Sequence, residues 1–151
     1  AKIGIRTSDD SFTAAVNQWT QAESSFVIDL SSTFFGLGAS KLFGTPEYLT
    51  IVESGEPPVS SYQPDQLIAE ALGFPLPISM LPWWLKGLPA PDSDYTIEFD
   101  ELGLPRTIEQ NKWQLTFSKH HFVKGLPLPG KVKLERDNVR IILAIKQWTL
   151  L

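Results

Sequence analysis

Cysteine is absent from this sequence of 151 residues, and methionine and histidine are rare, with one and two copies. The lack of cysteine excludes disulfide bonds, thiolate metal sites and cysteine nucleophiles. Basic residues are also scarce. Thirteen Lys and Arg stand against 17 Asp and Glu, a net charge of −4, so we do not expect nucleic acid as a partner. The longest apolar stretch, residues 78–85, is interrupted by Ser79 and Pro82 and is far shorter than the ~20 residues that span a bilayer.

The residues that are present indicate a folded chain. Hydrophobic residues make up 42% and charged residues 20%, with a mean hydropathy of −0.06, a balance typical of globular rather than disordered proteins. We therefore expect a single domain over residues 1–151. Five Trp, nine Phe and three Tyr accompany twelve Pro, and the aromatic residues gather on strand faces, in one loop and in one apolar segment.

Alternation of apolar and polar residues predicts β-strands in the first half of the chain. Residues 2–6 alternate like a strand, Phe26, Ile28 and Leu30 share one parity, and so do Leu49 and Ile51. Residues 11–20 carry apolar groups on both faces, which indicates a strand that is covered on both sides. Ser54-Gly55 is typical of a turn.

The middle of the chain changes to a helical period. Residues 64–72 place Leu67, Ile68, Ala71 and Leu72 on one stripe, which predicts a short amphipathic helix. Ser79 is a candidate N-cap for a second helix that ends at Gly87, with Pro82 tolerated in its first turn. This second helix is apolar on nearly all sides, so we expect it to be buried or to contact an apolar ligand.

From residue 95 onward the strand period returns. The runs that alternate cleanly, each with one polar face, are 95–99, 113–117 and 131–135. Residues 139–151 predict a last apolar strand that includes Trp148, and Asn111-Lys112 and Asp137-Asn138 are candidate hairpin turns that lack the favoured following glycine. Strands, two helices and strands in that order, with no βαβ alternation, predict an α+β fold with an antiparallel sheet or a partly closed barrel.

Candidate catalytic and metal-binding residues are few. His120 and His121 are adjacent, so in a strand they face opposite sides and cannot ligate one metal from the same surface. Residues 36–41 lack the third glycine of a dinucleotide fingerprint and the Gly-Lys-Ser/Thr of a P-loop. No Gly-x-Ser-x-Gly elbow is present, and the acidic pairs at 9–10 and at 92 and 94 lie in turn-like stretches. We expect no metal, no cofactor and no enzymatic activity.

Two apolar features remain. Phe34, Phe35 and Leu37 lie in a loop rich in Gly and Ser, either as an exposed tip that probes a membrane or partner, or folded back on the core. The helix within residues 78–85 is either part of the core, which periodicity favours, or a lid over a hydrophobic cavity.

An ordered set of motifs points to a known family. The run from Leu72 to Pro89 reads Leu-Gly-Phe-Pro-Leu-Pro-Ile-Ser-Met-Leu-Pro-Trp-Trp-Leu-Lys-Gly-Leu-Pro, and Asp94-Tyr95 follows it. This run resembles the Gly-x-Pro-x-Pro…Leu-x-x-Trp-x-x-Gly-Leu-Pro signature of the LolB family, the outer-membrane lipoprotein receptors of the bacterial Lol sorting pathway. Further matches in family order are Gly4-Ile5-Arg6, Trp19, Asn111-Lys112-Trp113, 128–132 and Trp148.

The resemblance implies both a fold and a function. The fold would be an antiparallel sheet curled into an incomplete barrel, with a helical lid, about residues 63–87, over a hydrophobic cavity. The protein would take lipoproteins from the periplasmic carrier LolA, hold their acyl chains and release them into the inner leaflet of the outer membrane, and we expect it to act as a monomer. The residues assigned to the cavity and lid are Trp19, Leu67, Ile68, Leu72, Leu81, Trp83, Trp84, Leu85, Trp113 and Leu115.

Two departures from the family pattern concern the membrane. The family's protruding loop has a leucine between a proline and a glycine; here Phe35 stands at the leucine and Phe34 at the proline, and Leu37 is expected to share the role. The sequence begins at Ala1 without an initiator Met, so the cysteine that carries the family's lipid anchor is expected upstream of it. Two other hypotheses are a soluble periplasmic carrier of lipids or lipoproteins with the same fold, and a periplasmic lipid hydrolase.

Overall fold

A computed structural model of the chain describes residues 2–6, 11–22, 25–30, 39–72, 76–91 and 93–145. Its strands are β1 (Lys2–Arg6), β2 (Ser11–Ala22), β3 (Ser25–Leu30), β4 (Ser40–Thr45), β5 (Tyr48–Glu53), β6 (Val59–Ser61), β7 (Tyr95–Phe99), β8 (Pro105–Gln110), β9 (Trp113–Ser118), β10 (His121–Val123), β11 (Leu126–Leu128), β12 (Lys131–Arg136) and β13 (Val139–Ala144). The helices are α1 (Pro64–Leu72) and α2 (Leu81–Trp84). No helix of the described residues has the length and apolar character needed to cross a membrane.

The chain forms two compact units. The terminal unit comprises Ala1–Thr13 and Trp83–Leu151, and the central unit comprises Ala14–Pro82. Both are built on antiparallel strand pairs.

The terminal unit contains a sheet with the strand order β1, β13, β12, β9, β8, β7. One face of this sheet is apolar because strand alternation places facing partners on it: Leu115 is paired with Leu134, and both are fully buried. Each such side chain stabilises the fold by about 1.5–3 kcal/mol relative to exposure. The buried apolar residues of this sheet are Ile108, Trp113, Leu115, Phe117, Val132, Leu134, Val139, Ile141 and Leu143. The strands predicted at 113–117 and 131–135 are confirmed.

Two tight turns join neighbouring strands of this sheet. Asn111 and Lys112, between β8 and β9, have φ angles of 53° and 67°, and Asp137, between β12 and β13, has 52°. The two consecutive positive φ values at Asn111 and Lys112 are the signature of a type I′ hairpin turn, and the Arg136–Val139 pair closes the second hairpin around Asp137-Asn138. Both predicted hairpin turns are confirmed, although neither carries the glycine that such turns prefer.

A second, two-stranded sheet of β10 and β11 lies within the connection from β9 to β12. Ser118 of β9 still pairs with Lys131 of β12, so the chain leaves the main sheet after Ser118 and returns at Lys131. Lys124 and Gly125 form its turn, with φ angles of 51° and 81°. This hairpin is called the 119–130 arm below.

The central unit contains the strand order β2, β3, β4, β5, β6, again antiparallel throughout. Helix α1 has the bounds that the sequence predicts, contacts β5 and β6, and buries Ile68 completely. Gly55 adopts φ 82° in the predicted turn at Ser54-Gly55. The buried apolar residues of the strands are Phe26, Ile28, Leu30, Leu42, Leu49 and Ile51, so the parity predicted at 26–30 and 49–51 is confirmed.

The second helix differs from the prediction in length and capping. It spans only Leu81–Trp84, and Ser79 lies in a turn before it. The Ser79 hydroxyl donates to the Asp65 carboxylate at 2.8 Å, and the backbone N–H groups of Met80 and Leu81 donate to the Pro77 carbonyl. The chain then turns, with the Lys86 N–H donating to the Trp83 carbonyl, and Gly87 has φ 77°. A residue with positive φ cannot continue a right-handed helix.

Two strands also differ from the prediction. The last strand, expected over 139–151, ends at Ala144; Trp148 lies outside the described residues. In β7, Tyr95 and Phe99 are 52% and 57% exposed, although they share the parity expected for an apolar face. β7 is the last strand of the sheet and pairs only with β8 in the described part of the chain, so a neighbouring strand flanks it on one side only.

Candidate functional site

A buried glutamine organises the segment that follows α2. Gln110, at the end of β8 and 2% exposed, accepts hydrogen bonds from the Trp84 indole N–H and the Ala90 backbone N–H, both at 2.8 Å. Its amide N–H groups donate to the carbonyls of Ala90 at 2.8 Å and Ser93 at 3.2 Å. All polar atoms of the side chain therefore have partners, as burial of an amide requires. The network ties Trp84 of α2, Ala90 and Ser93 to β8.

Sequence reasoning missed Gln110. The signal was its parity, because it lies two residues after the fully buried Ile108 and so belongs to the apolar face of the sheet. A polar residue at an inward position needs several partners, and that requirement identifies it as a structural anchor.

The residues from Leu81 to Leu85 that the sequence places on one stripe are all buried. Leu81, Trp84 and Leu85 are 2%, 0% and 5% exposed, whereas Trp83 is half-buried and keeps contact with solvent. The short helix therefore has a buried face and one partly exposed aromatic side chain, that of Trp83.

Trp113 and Leu115 lie on the apolar face of the terminal sheet. They are 1% and 0% exposed, so the protein itself covers both. The Arg136 guanidinium lies 5.9 Å from the centre of the Trp113 ring, a distance at which the cation is attracted to the ring face.

In the central unit, Trp19 belongs to a chain of hydrogen bonds. Its indole N–H donates to the Gln21 side-chain oxygen at 3.0 Å, and the Gln21 amide donates to the Pro82 carbonyl at 3.0 Å. Trp19 and Gln21 share one face of β2 because they are two residues apart. The contact holds the start of α2 to β2.

Helix α1 is held to the segment after it by a second polar contact. The Asp65 carboxylate accepts the Ser79 backbone N–H at 2.9 Å and the Ser79 hydroxyl at 2.8 Å. Leu67 is half-buried and Ile68 is fully buried on this helix. Three side chains therefore hold the predicted lid segment by hydrogen bonds. Asp65 and Gln21 belong to the central unit, and Gln110 belongs to the terminal unit.

The structure distributes the predicted cavity and lid residues over the two units. Trp19, Leu67, Ile68 and Leu81 belong to the central unit, and Trp83, Trp84, Leu85, Trp113 and Leu115 belong to the terminal unit. The Leu72 side chain and the loop residues Phe34, Phe35 and Leu37 lie outside the described residues.

The two histidines occupy the base of the 119–130 arm. His121 begins β10 and is exposed, whereas the Nε2 atom of His120 is buried and has no hydrogen-bond partner in the described structure. Burial lowers the pKa of His120 below its usual 6.5, against Asp100, whose charge raises it; His121 adds to the lowering.

Comparison with solved structures defines the class of fold. The crystal structure of a LolA superfamily protein from Nitrosomonas europaea matches 98% of this chain and 86% of that one, with a TM-score of 0.56 and 8% sequence identity. The fold is therefore similar to that of this structure: in the described residues it is an α+β fold with antiparallel sheets that are not closed into a barrel and with two short helices. The predicted fold class is confirmed.

Comparison of sequences identifies the family. The family model for outer membrane lipoprotein LolB matches residues 1–148. Similar proteins named outer-membrane lipoprotein LolB come from Marinobacter nauticus, 32% identical over 97% of this chain and 72% of the relative, and from Pseudomonas fluorescens, 35% identical over 97% and 71%. A third, from Cellvibrio japonicus, is 33% identical over 99% and 75%.

The chain belongs to the LolB family. Membership confirms the resemblance drawn from residues 72–89, and it supports the predicted outer-membrane localisation and the role of a lipoprotein receptor.

Proposed function

We propose that this protein accepts lipoproteins from the periplasmic carrier LolA, holds their acyl chains, and releases them into the inner leaflet of the outer membrane. The observation that carries the proposal is the LolB family match over residues 1–148, joined to a fold of the LolA superfamily type. Donor and acceptor of related fold offer the acyl chains similar apolar environments, which suits a direct handover.

Apolar burial supplies the affinity. Each methylene group transferred from water to an apolar site contributes about 0.8 kcal/mol, so a long acyl chain is held firmly without charge or covalent bond. The aromatic and aliphatic residues assigned to this role are Trp19, Leu67, Ile68, Leu72, Leu81, Trp83, Trp84, Leu85, Trp113 and Leu115. Trp83 is the favoured first contact, because among the tryptophans of the α2 segment it alone retains solvent exposure.

Residues 63–87 act as a lid in this proposal, within a single acceptor domain over residues 1–151. Its hydrogen bonds at Asp65–Ser79, Gln21–Pro82 and Gln110–Trp84 are each worth about 0.5–1.5 kcal/mol net. Such contacts are weak enough to break when an acyl chain enters, yet together they keep the apolar residues covered when the site is empty.

Transfer needs no catalytic group. A lipoprotein moves spontaneously when its acyl chains are more stable in this protein than in the donor, and more stable again in the bilayer. The protein therefore functions as a monomeric receptor rather than as an enzyme. Replacing His120 and His121 with alanine is expected to leave transfer intact, and loss of an esterase activity in that variant would instead support the hydrolase hypothesis.

The loop at residues 33–38 is the proposed contact with the bilayer, through Phe34, Phe35 and Leu37. Attachment of the protein itself, through a lipidated cysteine upstream of residue 1, is also part of the proposal and is tested by mass spectrometry of the protein isolated from outer membranes.

Transfer of a labelled lipoprotein tests the function. LolA loaded with a fluorescent lipoprotein is mixed with this protein and then with liposomes. We expect transfer to this protein first and to the liposomes second. The Phe35→Glu variant is expected to accept the lipoprotein but to release it slowly. The control is Leu102→Glu, which changes a leucine that is 83% exposed and lies outside the loop at 33–38; it is expected to behave as the unmodified protein. Failure of the unmodified protein to accept lipoprotein would overturn the proposal.

A soluble carrier is the second candidate function, and the LolA superfamily fold favours it. Sequence identity favours the receptor over the carrier. Relatives that are 32–35% identical to this chain bear the LolB name, whereas the LolA superfamily structure is only 8% identical. A carrier would deliver lipoprotein to a further acceptor rather than to liposomes directly.

A further inference from the structure

The 119–130 arm projects from a closed base. The β9–β12 ladder continues to the Ser118–Lys131 pair, and below the arm the Gly130 N–H donates to the Ser118 carbonyl at 3.1 Å. Gly130 has no space for a side chain, because a Cβ atom there would collide with the Lys119 carbonyl oxygen. The direction of the arm is therefore fixed by backbone packing at its base.

Burial falls along the arm from base to tip. Leu128, paired with His121 at the base, is 6% exposed, whereas Leu126, paired with Val123 next to the turn, is 54% exposed. Phe122 is 70% exposed. Isolated two-stranded hairpins are marginally stable in water, and this short hairpin leaves two large apolar side chains, Phe122 and Leu126, exposed together.

The two exposed apolar side chains point to opposite faces of the arm. Phe122 pairs with Pro127, whereas Leu126 shares the other face with Val123, one position along the ladder. The tip therefore offers apolar surface on both sides. A flat protein surface would cover only one of these two faces. A lipid bilayer is fluid and can surround the tip, so it can cover both faces.

The arm is basic in an acidic protein. Residues 119–130 hold two Lys and none of the seventeen Asp and Glu of the chain. Lys119 and Lys124 are exposed; Lys124 directly follows β10, and Lys119 lies two residues before it. Lysine stems lie along apolar surface while their ammonium groups reach the polar headgroups, a combination typical of interfacial membrane binding.

We propose that the 119–130 arm docks on the anionic phospholipid surface of the outer membrane, with Phe122 and Leu126 among the first acyl carbons and Lys119 and Lys124 at the phosphates. This site is separate in sequence from the loop at 33–38. The proposal depends on the proposed function only in naming the outer membrane as the membrane that is bound. The arm would orient the receptor on the bilayer before a lipoprotein arrives.

A single-cysteine probe tests the proposal, because the chain has no cysteine of its own. Leu126→Cys in the full chain is labelled with an environment-sensitive dye and mixed with vesicles of phosphatidylcholine, with or without 30 mol% phosphatidylglycerol. The matched control is the same dye at Leu102→Cys, also an exposed leucine next to a turn. Circular dichroism confirms that both variants fold.

The expected result is a blue shift at position 126 with phosphatidylglycerol vesicles and none at position 102. In a Lys119→Gln, Lys124→Gln background, vesicle affinity falls roughly fivefold for each lysine, and high salt has the same effect. The Phe122→Ser variant is expected to bind the vesicles more weakly and to show a smaller blue shift of the dye.

Two results would overturn the proposal. One is no shift at position 126 with either vesicle; the other is a shift produced by LolA but not by lipid, which would assign the arm to a protein partner. Neither affects the receptor role, because vesicle binding is measured without lipoprotein and lipoprotein acceptance is measured without vesicles.

Discussion

The Trp84 indole N–H donates to the Gln110 side-chain oxygen at 2.8 Å, and both side chains are almost completely buried. This contact joins a residue of the short helix α2 to the end of β8, 26 positions later in the chain. Gln110 also binds both backbone polar groups of Ala90. One side chain thus fixes a helix and a proline-rich loop to the sheet.

Gln110→Leu is expected to destabilise the protein by about 2–4 kcal/mol, because the indole N–H and two backbone groups of Ala90 lose their partners in a buried site. Urea unfolding followed by circular dichroism measures the change. Gln114→Leu, at an exposed position of β9, is the matched control and is expected to stay within about 0.5 kcal/mol. Equal stability of the two variants would contradict the anchoring role.

Local patterns were sufficient to predict much of the fold. Helix α1 begins and ends where its stripe of apolar residues and Pro64 predict, and the strands around 113–117 and 131–135 follow their alternation. These elements bury one face each, so burial and periodicity agree. The family motif at residues 72–89 then supplied the fold class, which periodicity alone left between an open sheet and a partly closed barrel.

Features that depend on distant contacts were not predicted. The second helix is four residues long, and the Ser79 side chain before it binds Asp65, 14 positions earlier in the chain. The Gln110 network joins residues 17 or more apart. The 119–130 arm has strands of three residues each, which is too short for a periodic signal.

The Asp65–Ser79 contact predicts a local effect on the lid segment. Asp65→Ala is expected to cost about 1–3 kcal/mol, because both hydrogen bonds to Ser79 are lost together with a favourable charge in the first turn of α1. Hydrogen exchange of the Ser79 amide is expected to accelerate. Glu70→Ala, which removes the same charge from an exposed position of α1, serves as the control. Equal exchange rates in the two variants would show that the contact does not restrain this segment.

The turn between β8 and β9 offers a stabilising substitution. Lys112 has φ 67°, a conformation that costs a residue with a Cβ atom about 1 kcal/mol, whereas glycine adopts it freely. Lys112→Gly is therefore expected to raise the midpoint of urea unfolding by the equivalent of about 0.5–1 kcal/mol. Lys112→Ala removes the same charge but keeps the strain, so it is expected to give no gain. If Lys112→Ala stabilises the protein as much as Lys112→Gly, the effect comes from removal of the lysine charge and not from relief of backbone strain.

The base of the 119–130 arm predicts a severe effect of a single methyl group. In Gly130→Ala the new Cβ would meet the Lys119 carbonyl oxygen and lie 2.8 Å from Nε2 of His121, so the backbone must shift. We expect a loss of about 2–3 kcal/mol. Gly103→Ala also places alanine at a turn but meets nothing within 4 Å, and its cost is limited to the strain of φ 80°, about 1 kcal/mol. Unfolding curves that rank Gly103→Ala as the more damaging change would contradict the packing described at Gly130.

Stability is expected to fall with acidification through His120. Its pKa in the folded protein is lowered below 6.5, mainly by burial, with Asp100 opposing and His121 assisting. The unfolded chain therefore takes up a proton first as the pH falls, so the contribution of His120 is constant above about pH 6.5 and is lost below it. Between pH 7.5 and 5.5 we expect a loss of less than about 1 kcal/mol, because the imidazole keeps partial contact with solvent. Unfolding measured at both pH values should show a smaller loss in His120→Gln than in the unmodified protein, with His121→Gln as the control. If His120→Gln and the unmodified protein lose the same stability, burial of His120 does not contribute to the pH dependence.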